Sequence, residues 1–548
     1  MVAINLFSFL SVVFFMSLSS LPFLMYWASS EKKFPFYSQK KSAYFYLMVV
    51  FFVSLALTVS SVMFDGLDLY KQITLDAVIN KASSISQLLS SDFISHSSSL
   101  FILDSISSGA RILILISSIV AALGGYYYSN LVRYNQFEFC FYLLFSTLAM
   151  LLLVSSNHGL MAYIAVELQS LSFYLMASSQ RKSLHSVEAG LKYLFIGSLA
   201  SGALLMGLAM IYFVTGTVDF SNLTLFYTAY NSVEYPLYSF ATLKLLGGPA
   251  LVLFAFLVKL GVAPFHMWVA DVYEGSPTSA TAYFLLVPKI AYLVIFFRIS
   301  AGVFGMPNAN FDIFTGFLLF VSLSSFVFGY IGLLRRGINL KRFFAFSGIG
   351  HLGFLMLMFT LPGDLATFSL TGDRTIGSIF TYLIIYIIST IPAISLLVTF
   401  THKTNYSVGR RNSSIIDNLP NMYHLFNPTH ALFVFLLFSA FIGIPPTGGF
   451  YLKLFPLLAT LSDNSLLVLI IIWGLVVLSS FVYAKVLIGL FFKSYSVWNP
   501  RSFGVTTTHD YVLTWFFVIS VMLLTTYVFY HDYIGLLVYL VESVDSAW

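Results

Sequence analysis

The sequence predicts an all-α membrane protein: about fourteen transmembrane helices, two of them broken, with two five-helix repeats of inverted topology. Three observations predict it. Of the 548 residues, 59% are hydrophobic and 18% aromatic while only 9% are charged, a composition that a water-soluble domain of this length does not have. Apolar runs of about 20 residues, the length that crosses a bilayer, recur with mostly short connections. Basic residues collect in every second connection.

The spans run approximately over 5–28, 44–64, 110–129, 137–156, 158–179, 186–214, 240–272, 277–300, 311–334, 342–361, 377–400, 429–460, 464–494 and 510–540. Lys32, Lys33, Lys40 and Lys41 follow the first, Arg133 the third, and Arg181 and Lys182 the fifth. Arg335, Arg336, Lys341 and Arg342 flank the turn after the ninth, Lys403, Arg410 and Arg411 follow the eleventh, and Lys493 and Arg501 the thirteenth. The even-numbered connections hold little beyond Lys71, Lys81, Arg298 and Arg374. By the positive-inside rule the odd connections face the cytoplasm or the mitochondrial matrix and both termini the opposite side.

The seventh span breaks at Gly261 and Pro264, and the twelfth at Gly443, Pro445, Pro446, Gly448 and Gly449. Proline removes a backbone donor and bends a helix, and in hydrocarbon the freed groups are satisfied only by protein or by a wet cavity. An odd offset between the breaks makes the two helices enter from opposite sides, so spans 4–8 and 9–13 form two inverted units. The chain then divides into 1–109 (two helices and an insertion), 110–300 (spans 3–8, including the first unit), 301–495 (spans 9–13, the second unit) and 496–548 (last helix). Within the first part, the Ser-rich stretch from Asp65 to Leu100 reads as an amphipathic surface helix or a disordered insertion. The first apolar run has no basic residue before it and is long enough to span, so no signal peptide is expected.

Charges inside the spans are the candidate functional residues, because each costs a few kcal/mol at the membrane centre even on the lenient insertion scale. They are Glu167, Lys192, Lys244, Lys259, Lys289, Lys453 and Lys485. Lys244 and Lys485 lie nearer helix ends, where a lysine reaches the interface. Glu167 is the single deep acid. Burial disfavours an ammonium and a nearby carboxylate favours it; at about 4 Å and an effective dielectric near 20 that attraction is on the order of 4 kcal/mol. A Glu167–lysine pair that opens and closes would therefore load and release a proton, which arginine could not do. His351 in the tenth span and His266 just past the seventh-span break are candidate relays.

Gly348, Gly350 and Gly353 match the dinucleotide fingerprint by letter only; they sit in an apolar helix with no preceding strand, and helix packing through small residues explains them better. The lone Cys140 offers neither a disulfide framework nor a cysteine metal site. No phosphate loop, metal-ligand cluster or nucleophile motif is present, so no cofactor is expected in this chain, and no nucleic-acid partner.

The runs VELQSL (Val166–Leu171), SVEAGLKY (Ser186–Tyr193), KLGVAPFHMWVADVYEGSPT from Lys259 with Lys289 beyond it, NLKRFFAFSGIGHLGF (Asn339–Phe354) and FIGIPPTGGFYLK (Phe441–Lys453) resemble the antiporter-like membrane subunits of respiratory complex I. Within that family they are most similar to the subunit 2 branch, since the subunit 4 type usually has glutamate where Lys453 stands. The resemblance covers roughly 105–495. It implies that Glu167 pairs with Lys259, that Lys192 and Lys289 lie on the connecting path, and that His351 and Lys453 continue it. It further implies proton translocation driven by electron transfer from NADH to ubiquinone elsewhere in the complex, with FMN and iron–sulfur clusters on other subunits. Expected partners are a neighbouring antiporter-like subunit, the small proximal membrane subunits and phospholipids. The abundance of Phe, Tyr and Ser points to an AT-rich organelle genome and so to the mitochondrial inner membrane. Two readings stay beside this one: a cation/proton antiporter subunit of the Mrp type, and a structural scaffold whose lysines bind lipid headgroups.

Overall fold

A computed structural model describes residues 12–13, 15–17, 43–60, 100–102, 104–132, 138–231, 240–304, 312–334, 339–360, 374–405, 428–445, 447–462 and 466–491. The 14th expected span, nearly all of the first, and the insertion up to Ser99 lie outside these residues. The helices are α1 (Ala43–Ser60), α2 (Ser105–Val132), α3 (Glu138–Ser155), α4 (Gly159–Ala177) and α5 (Leu184–Thr215). There follow α6 (Phe220–Asn231), α7 (Phe240–Leu260), α8 (Met267–Gly275), α9 (Thr278–Phe304), α10 (Asp312–Leu334) and α11 (Leu340–Met358). The last four are α12 (Arg374–Asn405), α13 (Pro428–Ile442), α14 (Gly448–Ser462) and α15 (Leu466–Phe491). Among the described residues, 9 helices are long and apolar enough to cross a membrane, and the only β pairing is two isolated bridges, Phe101 with Ser156 and His158 with Asp219.

The expected seventh span is thus two helices, α7 and α8, and the expected twelfth is α13 and α14. One element was not anticipated. Helix α6, in the connection after α5, is too short and polar for a transmembrane signal, and it forms because it packs on α9.

Burial sorts the helices by depth. The apolar window of α9 is 89% buried and that of α15 only 28%, so α9 is axial and α15 peripheral. Helix α11 is the second axial element: Leu340 and every residue from Phe343 to Met358 are buried. Its glycines allow this. A Cβ on Gly329 of α10 would come within 2.9 Å of the Gly350 backbone nitrogen, so α10 and α11 meet backbone to backbone, as small residues permit. The glycine run is a packing surface. Many serines in these helices donate to the carbonyl three residues earlier, Ser347 to Phe344 and Ser479 to Val476 among them, which satisfies a hydroxyl that hydrocarbon cannot.

Candidate functional site

Both breaks are built in the same way. Gly261 and Gly443 have φ of 73° and 84°, the left-handed conformation that ends a helix without a Cβ penalty. Each amide then bonds back four residues, Gly261 to the Leu257 carbonyl and Gly443 to the Ser439 carbonyl, both at 3.0 Å. The next amide reaches the same carbonyl: Val262 to Leu257 and Ile444 to Ser439, both at 3.2 Å. These bonds leave other carbonyls of the terminal turn to be satisfied, and here the breaks differ. In the first, the Trp268 indole donates at 3.1 Å to the Val258 carbonyl, which also accepts from the Gly261 amide at 3.1 Å. In the second, the Lys453 ammonium donates to the Ile442 carbonyl at 3.0 Å.

Lys259 is buried in the last turn of α7, and its ammonium has no hydrogen-bond partner. It stands 6.0 Å from the ring centre of Tyr174 on α4. Glu167, two turns earlier on α4, is within electrostatic range of Lys259 but is half-buried, with its carboxylate accepting from Ser170 at 3.4 Å. The two are not in contact. Two residues after Glu167 on α4, the amide of Gln169 is fully buried with neither polar atom hydrogen-bonded, and the buried hydroxyl of Tyr292 on α9 is likewise without a hydrogen bond.

Lys289 is buried on α9, one helix further in, and donates to the Tyr386 hydroxyl at 2.6 Å. Gly348 makes room for it, since a Cβ there would lie 2.6 Å from the ammonium nitrogen. The Tyr386 ring is 5.3 Å from the ring of buried His351, whose Nδ1 lies 2.9 Å from the Tyr382 hydroxyl. Tyr382 and Tyr386 are one turn apart on α12, so one helix face addresses both the amine and the imidazole. Lys453 of α14 completes the series: besides Ile442 it donates to Ser479 of α15 at 2.9 Å and lies 5.9 Å from the Tyr483 ring. The structure therefore gathers Lys289, His351 and Lys453 around tyrosines in the interior, with Glu167 and Lys259 one helix away.

Lys192 and His266 sit apart. Lys192 is 44% exposed and pairs with Glu188 at 2.8 Å and with Asp271 of α8 at 3.3 Å. Asp271 also accepts from Arg342 at 3.2 Å, and Arg342 pairs with Glu274 at 3.3 Å. Asn339 bonds Glu274 as well, and Lys341 donates to the Ser276 carbonyl at 2.6 Å. This network ties α8 to α5 and α11 and holds Lys192 at its edge. His266 is buried at the start of α8 against Phe328, with Nδ1 unpartnered. Lys485 is exposed on α15.

The sequence reading missed the tyrosines and the charge network. A signal existed for each: Tyr382, Tyr386 and Tyr483 stand mid-span, away from the interfaces where tyrosine usually sits, and Asp271 and Glu274 are three apart on one short helix. The interior set consists of amines, an imidazole and hydroxyls. A protonated lysine has donors and no acceptor, while hydroxyls and a neutral imidazole can both donate and accept, so a set of these types has the chemistry to hold and hand on protons.

Residues 156–480 match the family described as NADH:quinone oxidoreductase/Mrp antiporter, transmembrane. NADH-quinone oxidoreductase subunit N 1 of Rhizobium meliloti is 32% identical over 361 residues, 66% of this chain and 69% of that protein. The chain belongs to this family. Another relative, NADH-ubiquinone oxidoreductase chain 2 of Marchantia polymorpha, is 30% identical over 397 residues, 72% of this chain and 76% of its own. The family's fold is also seen in solved structures. A chain of respiratory complex I from Thermus thermophilus superposes with TM-score 0.65 at 20% identity, covering 94% of this chain and 97% of its own. A chain of the Mrp complex from Dietzia sp. DQ12-45-1b does so with TM-score 0.73 at 18% identity, covering 99% and 97%. All of Glu167, Lys192, Lys259, Lys289, His351, Tyr386 and Lys453 fall inside the family's matched region.

Proposed function

We propose that the chain is the antiporter-like, proton-translocating membrane subunit of an NADH:quinone oxidoreductase, the respiratory complex I. It is a multi-pass membrane protein and carries protons along the interior series from Glu167 and Lys259 through Lys289 and His351 to Lys453. The observation that carries this reading is the burial of three separate amines, Lys259, Lys289 and Lys453, at 6%, 7% and 7% exposure, with no carboxylate among the described residues in contact with any of them. Such burial is unfavourable for charged amines unless their protonation changes as part of the function.

Electron transfer itself takes place on other subunits, which hold the flavin, iron–sulfur and quinone sites. Quinone reduction there shifts the charges of a neighbouring subunit, and the series in this chain answers by passing protons across the membrane. Moving one charge against about 100 mV costs about 2.3 kcal/mol, within reach of one ion-pair rearrangement in a low dielectric. The finer architecture is about fourteen helices in two inverted five-helix units, and the matching terminations at Gly261 and Gly443 support it. The organelle-like composition and the Marchantia polymorpha relative favour the mitochondrial inner membrane, with both termini toward the intermembrane space. A neighbouring antiporter-like subunit, the small proximal membrane subunits and phospholipids are the partners.

Lys259→Met in the intact complex tests this reading. The variant assembles and loses pumping-linked turnover; normal coupled turnover overturns the role. The second reading, a cation/proton antiporter of the Mrp type, has the Dietzia fold match in its favour. It predicts a native assembly without NADH-oxidising activity, so co-migration of that activity with the chain decides between them.

A further inference from the structure

We propose that the Tyr386 hydroxyl is the proton relay between Lys289 and His351, a role set by the hydrogen bond it receives from one and its ring contact with the other. The inference rests on the transport reading above and adds a residue to it. Tyr386 is 3% exposed, and its hydroxyl oxygen takes a hydrogen bond from the Lys289 ammonium at 2.6 Å. The hydroxyl's own proton points to the Leu285 carbonyl at 3.5 Å, the outer limit of a hydrogen bond, so it is weakly held and free to swing.

The imidazole is prepared as an acceptor. Tyr382 donates its hydroxyl proton to the His351 carbonyl at 3.3 Å. With that proton on the carbonyl, the Tyr382 oxygen accepts from His351 Nδ1 at 2.9 Å, and in this tautomer of the neutral ring Nε2 carries the lone pair. That Nε2 is buried and has no hydrogen-bond partner, and the His351 and Tyr386 rings are 5.3 Å apart. In the transfer, a Lys289 N–H bond breaks as a bond forms to the Tyr386 oxygen. Once the His351 ring and the hydroxyl close to hydrogen-bond distance, the tyrosine's original O–H bond breaks as its proton bonds Nε2. Lysine ends neutral, tyrosine is neutral before and after, and histidine ends as imidazolium.

The test uses the whole complex reconstituted in vesicles, following NADH-driven proton uptake and turnover in H₂O and D₂O. Tyr386→Phe keeps the ring and removes only the hydroxyl; coupled turnover falls about tenfold, the worth of one hydrogen bond to a charged group, and the solvent isotope effect rises. Tyr283→Phe is the matched control, because it deletes an equally buried hydroxyl, bonded to Ser146 at 2.8 Å, away from the series, and it leaves the isotope effect unchanged. Turnover of Tyr386→Phe within a factor of two of the parent, or a loss shared equally by both variants with no isotope change, overturns the relay. If Tyr386→Phe fails to assemble, Gly348→Ala, which displaces the Lys289 ammonium from the hydroxyl, must show the same slowing and isotope effect, and parental behaviour overturns the relay. Lys259→Met in the same vesicles separates the two ideas: its inactivity beside a normal Tyr386→Phe sinks only the relay, and its normal pumping sinks the transport reading.

Discussion

The Lys453 ammonium closes the C-terminus of the helix on the other side of its own break, 3.0 Å from the Ile442 carbonyl. A cation at a helix C-terminus satisfies an orphan carbonyl and the helix dipole together. At the first break the side-chain donor is the Trp268 indole, and it bonds Val258, three residues before its left-handed glycine where Ile442 is one before; Lys259 is left without a hydrogen bond. The two lysines are thus unlike: one is a structural cap as well as a charge, and the other is a charge alone.

Replacing Lys453 separates its two roles. An arginine there would keep a permanent cation to bond the Ile442 carbonyl but could not give up its proton, whereas a methionine loses both. Lys453→Arg is expected to assemble and to lose proton translocation, and Lys453→Met to lose assembly yield as well. Blue-native analysis and vesicle acidification read the two effects, and pumping by Lys453→Arg at the parental rate would show that the proton of Lys453 is not used.

Trp268→Phe removes the donor to Val258 while keeping an aromatic ring against Tyr193, with which the indole stacks at 4.8 Å. The Val258 carbonyl keeps its bond from the Gly261 amide at 3.1 Å, so the loss is that of one intramolecular hydrogen bond, about 1 kcal/mol. The complex is expected to inactivate at lower temperature, with the loss localised to the α7–α8 break by hydrogen exchange; unchanged exchange at residues 257–262 would contradict it.

Alanine at either left-handed glycine costs about 1–2 kcal/mol in backbone conformation. At Gly261 the new Cβ also drives into Val269 of α8, whereas at Gly443 its nearest neighbour is the flexible Lys453 chain at 3.3 Å. Gly261→Ala is expected to reduce the assembled amount more than Gly443→Ala. Equal losses would mean that the Val269 contact relaxes freely.

Asp271 serves both Lys192 and Arg342 at 40% exposure. A pair this exposed is worth no more than about 1 kcal/mol and is screened by salt. A double-mutant cycle of Asp271→Asn and Arg342→Gln on thermal stability should give a coupling of about 0.5–1 kcal/mol at low salt that fades by about 1 M. A coupling that survives high salt would place the pair in a drier setting than its exposure indicates.

Much of the architecture was legible in the chain because hydrocarbon imposes few rules. Span length, basic loops and a proline or glycine inside an apolar run located most of the helices from α1 to α15 and both breaks; α6 escaped because it is short, polar and held by α9. The deep charges were legible for the same reason: Lys259, Lys289 and Lys453 are costly in oil wherever the helices go. Tyr382, Tyr386 and Ser479 were not, since tyrosine and serine are common in these helices and only contacts across helices set them apart.

The sequence by itself determined an all-helical membrane protein with amines held at depth beside interrupted helices, because desolvation is a property of residue type and span position. Only the tertiary structure decided which groups meet. It left Glu167 and Lys259 apart, joined Lys289 to Tyr386 and Lys453 to Ile442, and drew Lys192 out to Asp271, because hydrogen bonds form over about 3 Å and helix packing alone fixes such distances between residues 11 to 97 positions apart.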